Sequence, residues 1–264
     1  MTAPQPGSDV GSDGPGGVAL VTGAGRGIGR AVARRLSEEG MRVALSARTV
    51  PELEATAAQC AGPTLVLPMD LTEPGAADRL VAQVTHEWGH VEVLVANAGA
   101  GTSARVEKTS DAEWERMLDI NLTAPFRCLR AVIPPMREAG AGRIVVIASI
   151  AARAGDPYLS AYTASKHGVL GLVRSAAAEL APTGVTVNAI CPGYVDTPMT
   201  DATVAGIVAT TGRTEQEART ILAARQPTGR LVTPKEVADA VWMCVTNPSL
   251  NGQGINVDGG AVQS

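Results

Sequence analysis

The sequence has no long apolar run and no block of basic residues, and each absence excludes a class of protein. Its apolar stretches all stay short of the roughly 18 consecutive residues that a membrane-spanning helix needs. The net charge is −4 at pH 7, whereas a protein that neutralises nucleic-acid phosphates carries a basic patch. We therefore expect neither a membrane nor a nucleic acid as a partner.

Cysteine and histidine are too sparse and scattered for a disulfide framework or a metal centre. No C-x-x-C spacing occurs, and no histidine lies at a metal-ligand interval from any of the cysteines, which are Cys60, Cys128, Cys191 and Cys244. Thiols distributed in this way are typical of the reduced core cysteines of a cytoplasmic protein. The histidines likewise indicate no metal; they are His86, His90 and His167.

Aromatic residues make up only 3% of the chain but hydrophobic residues 45%, which predicts a core of aliphatic side chains. A length of 264 residues is ordinary for a single large α/β unit. Residues Met1–Gly17 are rich in Gly, Pro, Ser and Asp and lack the pattern of a signal peptide, which predicts a disordered tail. We predict one domain over residues 18–264.

Strand-like segments alternate with helical ones along the rest of the chain. Strands are predicted at Val18–Thr22, Arg42–Ala47, Thr64–Pro68, Val91–Ala96, Arg143–Ala148, Val185–Ile190 and Gly254–Val257. Helices are predicted at Arg30–Gly40, Pro51–Ala61, Gly75–Trp88, Asp111–Glu138, around Tyr162 and at Pro234–Thr246, with a variable helical patch at Asp201–Arg225, within about 197–226. The alternation of Val-rich strands with helices predicts an α/β fold: a Rossmann-type doubly wound parallel sheet of about seven strands with helices on both faces.

The first predicted strand runs directly into a glycine-rich turn and then a helix. The turn is Gly23-Ala-Gly-Arg-Gly27-Ile-Gly29, and the helix after it closes at Gly40. Free N–H groups at a helix N-terminus attract anions, and glycines let a pyrophosphate approach the backbone. In this strand–turn–helix context the glycines predict a dinucleotide site.

Other unusual residues also follow predicted strands. They are Asp70, Asn97–Gly99, Ser149 and Pro192–Gly193. In open parallel sheets ligands bind at the carboxyl ends of the strands, where the strand order reverses. We therefore expect these residues to surround one ligand site.

Tyr162 and Lys166 are four residues apart in a segment of helical character, thirteen residues after Ser149. Residues at i and i+4 share a helix face, so the ammonium would lie near the phenol and lower its pKa from about 10. With the serine hydroxyl, such a pair can move a proton on and off an alcohol or carbonyl oxygen. Taken alone, the spacing also fits a partly exposed tyrosine beside a solvated lysine.

Together the motifs resemble the short-chain dehydrogenase/reductase family, in its compact single-domain branch, from about Val18 to the C-terminus. Thr22–Gly29 is similar to the family's Thr-Gly-x-x-x-Gly-x-Gly turn. Ala96–Gly99 is similar to its Asn-Asn-Ala-Gly element, with alanine in the first place. Pro192–Thr197 and the ending Asn256–Gly260 also resemble family segments.

The resemblance implies a catalytic role for Asn121, Ser149, Tyr162 and Lys166. Tyr162 would exchange a proton with the substrate oxygen, and Ser149 would donate to the same oxygen. Lys166 would hold the charge state of the phenol and bond the nicotinamide ribose. Asn121 would hold a water that links Lys166 to solvent, at a point where Pro125 should disturb the helix because it lacks an N–H. The alternative for Asn121 is a helix amide that faces water.

The resemblance also implies a cofactor-binding set. Its members are Gly23, Gly25, Arg26, Gly27, Ile28, Gly29, Arg48, Asp70, Leu71, Asn97, Ala98, Gly99, Tyr162, Lys166, Pro192, Gly193, Val195 and Thr197. Asp70 would accept a hydrogen bond from the adenine amino group, or is simply a turn or capping aspartate. Thr197 would hold the carboxamide, or merely caps the helix that follows.

Charge favours NADP(H) over NAD(H) as the cofactor. An NAD site needs an acidic residue at the end of the second strand to accept from both ribose hydroxyls, and Ala47 occupies that place. Arg48 follows at once and Arg26 lies inside the glycine turn; guanidinium groups match phosphate oxygens. The alternative is that Arg48 only stacks on adenine, Arg26 is solvated, and NAD(H) is used.

The substrate is predicted only by class, as a small-molecule or carrier-bound ketone or secondary alcohol. Its pocket should be lined by Gly101–Arg105, Ile150–Arg153, Tyr158, Tyr194 and Met199–Arg225. The segment from Arg225 to Pro234 resembles 3-oxoacyl and polyketide ketoreductases, and also hydroxybutyrate dehydrogenases. The preferred function is an NADP(H)-dependent ketoreductase; the alternatives are an NAD-dependent hydroxy-acid or alcohol dehydrogenase and a non-catalytic dinucleotide-sensing module. The resemblance further implies a homotetramer.

Overall fold

The computed structural model describes residues 16–263, which contain one sheet of seven parallel strands. The strands are β1 (Val18–Thr22), β2 (Arg42–Ala47), β3 (Thr64–Pro68), β4 (Val93–Ala96), β5 (Gly142–Ile147), β6 (Val185–Pro192) and β7 (Gly254–Val257). Their order across the sheet is β3-β2-β1-β4-β5-β6-β7. The prediction of a doubly wound parallel sheet is confirmed. Within the predicted tail Met1–Gly17, residues 1–15 lie outside the described residues, and the assignment of residues 18–264 to one domain stays a prediction.

Helices cover both faces of the sheet. They are α1 (Gly27–Glu38), α2 (Val50–Ala57), α3 (Ala76–Trp88), α4 (Asp111–Leu118), α5 (Ala124–Ala139), α6 (Ser160–Leu180), α7 (Pro198–Thr211), α8 (Glu215–Ala224) and α9 (Pro234–Thr246). Helices α3, α5 and α6 share a hydrophobic core with one face. Helices α1, α2 and α9 share a second core with the other face. The predicted helical patch forms α7 and α8.

Strand β1 shows why the strands are apolar throughout. Successive side chains of a strand point to opposite faces, and here both faces are covered. Leu20 therefore packs into the first core, while Ala19 and Val21 pack into the second. Full burial of a side chain such as Leu20 contributes about 1.5–3 kcal/mol, so a polar residue at any of these positions would weaken the centre of the sheet.

The predicted long helix Asp111–Glu138 is wrong, because it is interrupted. Between α4 and α5 lies a π-helical turn, Asp119–Thr123, in which the Ala124 N–H donates to the Asp119 carbonyl, five residues back. Pro125 has no N–H to offer the Asn121 carbonyl, so the α-helical pattern cannot continue there. The prediction that Pro125 disturbs the helix near Asn121 is confirmed.

Smaller differences concern the ends of elements. Helix α2 stops at Ala57 rather than Ala61, β4 begins at Val93 rather than Val91, and β6 continues past Ile190 to Pro192. This extension of β6 brings Pro192 into register with Val257 of β7. The strand end that leads to Gly193 is therefore fixed by sheet hydrogen bonds rather than by a loop.

The strand order reverses between β1 and β4, so the connections that leave these neighbouring strands diverge and open a crevice at their carboxyl ends. The glycine turn after β1 and the Asn97–Gly99 segment after β4 border this crevice. None of the helices in residues 16–263 has the length and apolar character to cross a bilayer.

Candidate active site

The glycine turn joins β1 to α1 at the crevice. Gly23 has φ +63° and Gly27 has φ +54°, left-handed values that residues with a Cβ rarely adopt. Arg26 is the N-cap residue of α1, and no side chain caps the helix there. The first-turn N–H groups, from Gly27 to Gly29, are therefore presented to an anion in the crevice.

Close packing also requires glycine in this turn. A Cβ on Gly29 would lie 2.1 Å from the Gly23 carbonyl oxygen and 2.6 Å from Asn97 Nδ2. A Cβ on Gly25 would lie 2.9 Å from the Cβ of Glu52. The turn is thus compressed between α1, the end of β4 and α2, which keeps its backbone exposed to a ligand on the open side.

Two residues that sequence analysis missed hold the outer side of the turn. The buried Thr56 hydroxyl contacts the carbonyls of Ala24 at 3.0 Å and Gly25 at 3.2 Å. Arg30 donates to the Gly25 carbonyl at 2.5 Å and, through Nε, to the Thr56 hydroxyl at 3.1 Å. Because the carbonyls of Ala24 and Gly25 accept these hydrogen bonds, the peptide groups of the turn are held in one orientation. Neither residue belongs to a recognisable motif, so only the fold reveals them.

Asn97 has its side chain in the turn rather than in the crevice. Its Nδ2 donates to the carbonyls of Thr22 at 2.9 Å and Gly23 at 3.1 Å. The Thr22 hydroxyl in return accepts from the backbone N–H groups of Asn97 and Ala98, both at 3.0 Å. This exchange fastens β4 to β1 across the strand reversal. The side chain of Asn97 therefore positions the site, and only its backbone is left to face a cofactor.

The adenosine end of the predicted site contains both arginines and one unpredicted acid. Arg48 is exposed and follows Ala47 at the end of β2. The Arg26 side chain is 62% exposed, and its Nη1 lies 3.8 Å from Glu52 Oε1. Glu52 on α2 was not predicted as a site residue, because the sequence does not show that α2 runs past the turn. The Arg26–Glu52 separation is long for a hydrogen bond, so Arg26 remains able to turn toward a phosphate.

Asp70 closes a turn after β3. Its Oδ1 accepts from the Thr72 N–H at 3.0 Å and from the Thr72 hydroxyl at 2.7 Å. These hydrogen bonds lower the pKa of the carboxyl, with Arg48 a smaller cause in the same direction. The carboxylate is therefore ionised, and its second oxygen can accept from a ligand amino group. Leu71, the next residue, is buried.

Ser149, Tyr162 and Lys166 meet beside the crevice. Ser149 follows β5, and its Oγ accepts from the Ala151 N–H at 3.1 Å, which leaves the hydroxyl proton available. Helix α6 carries both Tyr162 and Lys166. Lys166 Nζ lies 5.7 Å from the centre of the Tyr162 ring and donates to the Ile147 carbonyl at 3.0 Å. The predicted helix face is confirmed, and β5 supplies the third member.

The charge states of the pair differ from the expected ones. Burial raises the pKa of Tyr162 above its ordinary value, a hydrogen bond with Ser149 opposes the rise, and Tyr194 adds to it. Burial also lowers the pKa of Lys166 to about 8. The phenol is therefore protonated at neutral pH. The expectation that Lys166 lowers the pKa of Tyr162 is not met, because burial is the largest cause of the shift and Lys166 is not among its causes.

Asn121 lies in the π-helical turn and is only 1% exposed. Its Nδ2 donates to the Ala100 carbonyl at 2.9 Å, and its Oδ1 accepts from the Ala100 N–H at 3.1 Å. The alternative of an amide facing water is wrong. A Cβ on Gly99 would lie 2.8 Å from Asn121 Oδ1 and 3.7 Å from Lys166 Nζ. Asn121, Gly99 and Lys166 therefore converge on one point.

The segment Pro192–Thr197 passes in front of the glycine turn. A Cβ on Gly27 would lie 3.1 Å from Cγ2 of Thr197, so the two segments touch. Thr197 is the N-cap residue of α7, but its side chain does not cap the helix and instead donates to the Val195 carbonyl at 3.3 Å. The capping alternative for Thr197 is wrong. Val195 is buried and pairs with Val232, which anchors the segment.

The predicted substrate lining needs one correction. Arg153 does not belong to the pocket: its guanidinium donates to the Gly254 carbonyl of β7, and a hydrogen bond from it lowers the pKa of Cys191 against the effect of burial. Its guanidinium is therefore occupied by groups of β6 and β7. Tyr158 is 57% exposed and has φ +69°, a rare value for a residue with a side chain.

The chain is also similar to known proteins. A family model described as short chain dehydrogenase matches residues 17–207. A D-beta-hydroxybutyrate dehydrogenase of Rhizobium meliloti (strain 1021) is 35% identical over 250 residues, covering 92% of this chain and 97% of the relative. A monensin polyketide synthase putative ketoacyl reductase of Streptomyces virginiae is 39% identical, covering 92% and 96%. A crystal structure of a variant actinorhodin polyketide ketoreductase with NADPH has a TM-score of 0.88 and 38% identity, covering 93% of this chain and 97% of that one.

Proposed function

The chain belongs to the short-chain dehydrogenase/reductase family and is an oxidoreductase acting on a ketone or alcohol; from that premise we propose that it is an NADPH-dependent ketoreductase. The observation that carries the proposal is the meeting of Ser149, Tyr162 and Lys166 beside a glycine turn with an uncapped helix N-terminus. Named ketoacyl reductases among the relatives, and the NADPH in the similar crystal structure, support the choice of reaction and cofactor.

The residues present fit a dinucleotide phosphate. The turn has the close backbone approach that a pyrophosphate needs, because a Cβ on Gly29 would strike the Gly23 carbonyl. At the adenosine end, Ala47 offers no carboxylate, and Arg26 and Arg48 provide two guanidinium groups. Arg26, Arg48 and Asp70 would hold the adenosine part, and the residues from Gly23 to Gly29 the pyrophosphate.

The nicotinamide part would be bound by residues farther along the strand ends. We assign this role to the backbones of Asn97, Ala98 and Gly99, to Lys166, and to the segment with Pro192, Gly193, Val195 and Thr197. The contact between Thr197 and Gly27 supports this assignment, because the segment then lies against the glycine turn. NADPH, when bound, supplies the hydride.

Tyr162 gives its proton to the substrate oxygen during reduction. A phenol whose pKa is raised by burial is protonated at neutral pH, which is the state that a proton donor requires. Ser149 donates its hydroxyl proton to the same oxygen and stabilises the charge that develops there. The protonated phenol is the form of Tyr162 that ketone reduction uses.

Lys166 and Asn121 support the proton donor. The Lys166 ammonium stabilises the phenolate that remains once the proton has left. The π-helical turn holds Asn121 beside Gly99. The backbone carbonyl of Asn121 receives no hydrogen bond from Pro125, because proline has no N–H. This carbonyl is the group that would hold a water between Lys166 and solvent, so that Tyr162 can be reprotonated.

The pH dependence of the reaction rate should report the ionisation of Lys166. Its pKa of about 8 means that the ammonium is charged below that pH and neutral above it. We expect kcat/KM for NADPH, which reports the free enzyme, to fall about tenfold per unit on the alkaline side of this pKa. The measurement is a rate profile from about pH 6 to about pH 10 with saturating ketone. A profile that stays level across the whole range would contradict the assignment.

The function itself is tested by a panel of ketones, ketoesters and acyl thioesters with NADPH and with NADH. We expect consumption of NADPH with at least one class and a preference for NADPH over NADH. Tight NADPH binding without turnover across the panel would overturn the proposal and favour a dinucleotide-sensing module.

We also propose a cytoplasmic homotetramer. Support for the location is that Cys60, Cys128, Cys191 and Cys244 are all free thiols. Support for assembly is that Trp114 on α4 and Phe126 on α5 remain 41% and 43% exposed, large apolar side chains on neighbouring helices. Light scattering of the purified protein checks the mass, and a monomer would contradict the assembly.

A further inference from the structure

Three polar side chains from distant segments meet beside the proposed proton donor. Asp156 lies in the loop before α6, Tyr194 follows Gly193 after β6, and Arg225 lies at the end of α8. Arg225 Nη1 donates to Asp156 Oδ2 at 2.6 Å, and the Tyr194 hydroxyl donates to the same oxygen at 3.3 Å. The guanidinium carbon of Arg225 also lies 5.9 Å from the centre of the Tyr194 ring. We call these three residues the acid–arginine cluster.

The cluster borders the space in which a carbonyl must meet Tyr162. Asp156 belongs to the segment that connects Ser149 to Tyr162, and Tyr194 follows Gly193 at the end of β6. The Tyr194 phenol is close enough to affect the pKa of Tyr162. Its ring packs against the apolar cluster between α7 and α8, which contains Val204 and Leu222. One wall of the substrate side is therefore built from this cluster and these two helices.

Charge on this wall is cancelled. The Asp156 and Arg225 side chains are 30% and 49% exposed, so the ion pair is partly withdrawn from water. Because Tyr194 donates to Asp156, its hydroxyl also faces the carboxylate. Two nearby arginines are occupied as well: Arg219 on α8 bonds Asp196 and Asp201, and Arg153 donates to Gly254.

A substrate carboxylate that approaches the acid–arginine cluster would meet a guanidinium, that of Arg225, that already pairs with Asp156. It would lie beside the Asp156 carboxylate, and partial burial of an unpaired anion next to a like charge is unfavourable. An ester, thioester or plain ketone carries no such charge and can pack against the Tyr194 ring. If Asp156 carried no charge, the Arg225 guanidinium would be unpaired and could bind a substrate carboxylate.

We propose that Asp156, by neutralising Arg225 and engaging Tyr194, makes the enzyme select ketones with uncharged neighbouring groups over free keto acids. This inference rests on the proposed ketone reduction and names the substrate class of that site. Asp156 and Arg225 are then specificity-determining residues, while the proton chemistry stays with Tyr162.

The test compares acetoacetate with methyl acetoacetate, which have the same ketone and differ in charge. We expect the wild-type enzyme with NADPH to favour the ester. Asp156→Asn keeps the side-chain shape and an acceptor for Tyr194 but frees the Arg225 charge. Since a hydrogen bond to a charged group contributes about 1.5–3 kcal/mol, kcat/KM for acetoacetate should rise at least about tenfold. The value for the ester should change little by comparison.

Further variants separate charge from structure. Adding Arg225→Met to Asp156→Asn should abolish the gain for acetoacetate, because the guanidinium that binds it is gone. The gain of the single variant should also shrink as salt is added, since the site is partly exposed. Glu236→Gln is the matched control: it removes the charge of a carboxylate that pairs with Arg230 at 2.6 Å outside the cluster, and it should leave the ester-to-acid ratio unchanged.

The outcomes distinguish this inference from the proposed function. Turnover of both substrates at equal efficiency by the wild type, or no gain for acetoacetate in a folded Asp156→Asn protein, would overturn the specificity role alone. If no variant reduces any ketone, the proposed function fails instead. Calorimetric binding of acetoacetate with NADP⁺ present then decides the cluster's role: tighter binding by Asp156→Asn supports it, and unchanged binding overturns it.

Discussion

Tyr162→Phe should lower kcat for ketone reduction by about 10²–10⁴-fold, because it removes the proton donor while leaving the ring in place. The phenol is the group that burial keeps protonated, and it is hydrogen-bonded to Ser149. The measurement is single-turnover oxidation of NADPH with an excess of ketone.

A control keeps this result specific. NADPH affinity and the melting temperature of Tyr162→Phe should stay close to the wild-type values, since the substitution removes one hydroxyl and preserves the volume. Turnover within a few-fold of wild type, with the same pH profile, would show that the proton comes from elsewhere. The mechanism proposed for Ser149, Tyr162 and Lys166 would then be wrong.

Ala47→Asp should reverse the coenzyme preference. A carboxylate at the end of β2 would repel a 2′-phosphate and accept hydrogen bonds from both hydroxyls of an unphosphorylated ribose. Hydrogen bonds to a charged group contribute about 1.5–3 kcal/mol, so kcat/KM for NADPH should fall about 10- to 100-fold, with a rise for NADH. Steady-state kinetics with both coenzymes and one ketone measure the change.

Two further variants locate the cause. Ala47→Asn has nearly the same shape without the charge and should reverse the preference much less. Arg26→Ala combined with Arg48→Ala should reduce NADPH efficiency and spare NADH, because only the phosphate uses both guanidinium groups. If this double variant keeps its selectivity, then Arg26 serves Glu52, Arg48 remains solvated, and the NADPH assignment fails.

The acid–arginine cluster and Glu52 illustrate what local patterns could not reveal. Asp156, Tyr194 and Arg225 are up to 69 residues apart, and no motif links them. Glu52 reaches the glycine turn only because α2 packs past it. Each is a charge or hydroxyl whose effect depends on a neighbour from another segment, so sequence spacing gave no signal.

The sequence by itself determined the parallel α/β sheet, the glycine turn and the i, i+4 pair of Tyr162 and Lys166. These follow from backbone periodicity, from the freedom of glycine and from helix geometry, which act over a few neighbouring residues. Even the break at Pro125 was predicted, because proline lacks an N–H wherever the fold places it. Residue roles that depend only on such local rules can therefore be predicted from the sequence.

Only the tertiary structure decided that Tyr162 is protonated and that the Asn97 side chain binds the glycine turn instead of facing the crevice. It also decided that Arg153 binds the Gly254 carbonyl and that Arg225 is paired with Asp156. Desolvation and ion pairing depend on which distant groups surround a side chain, and that is set by packing. Burial thus reversed the expected shift of the Tyr162 pKa, although the residue that should have lowered it is present on the same helix face.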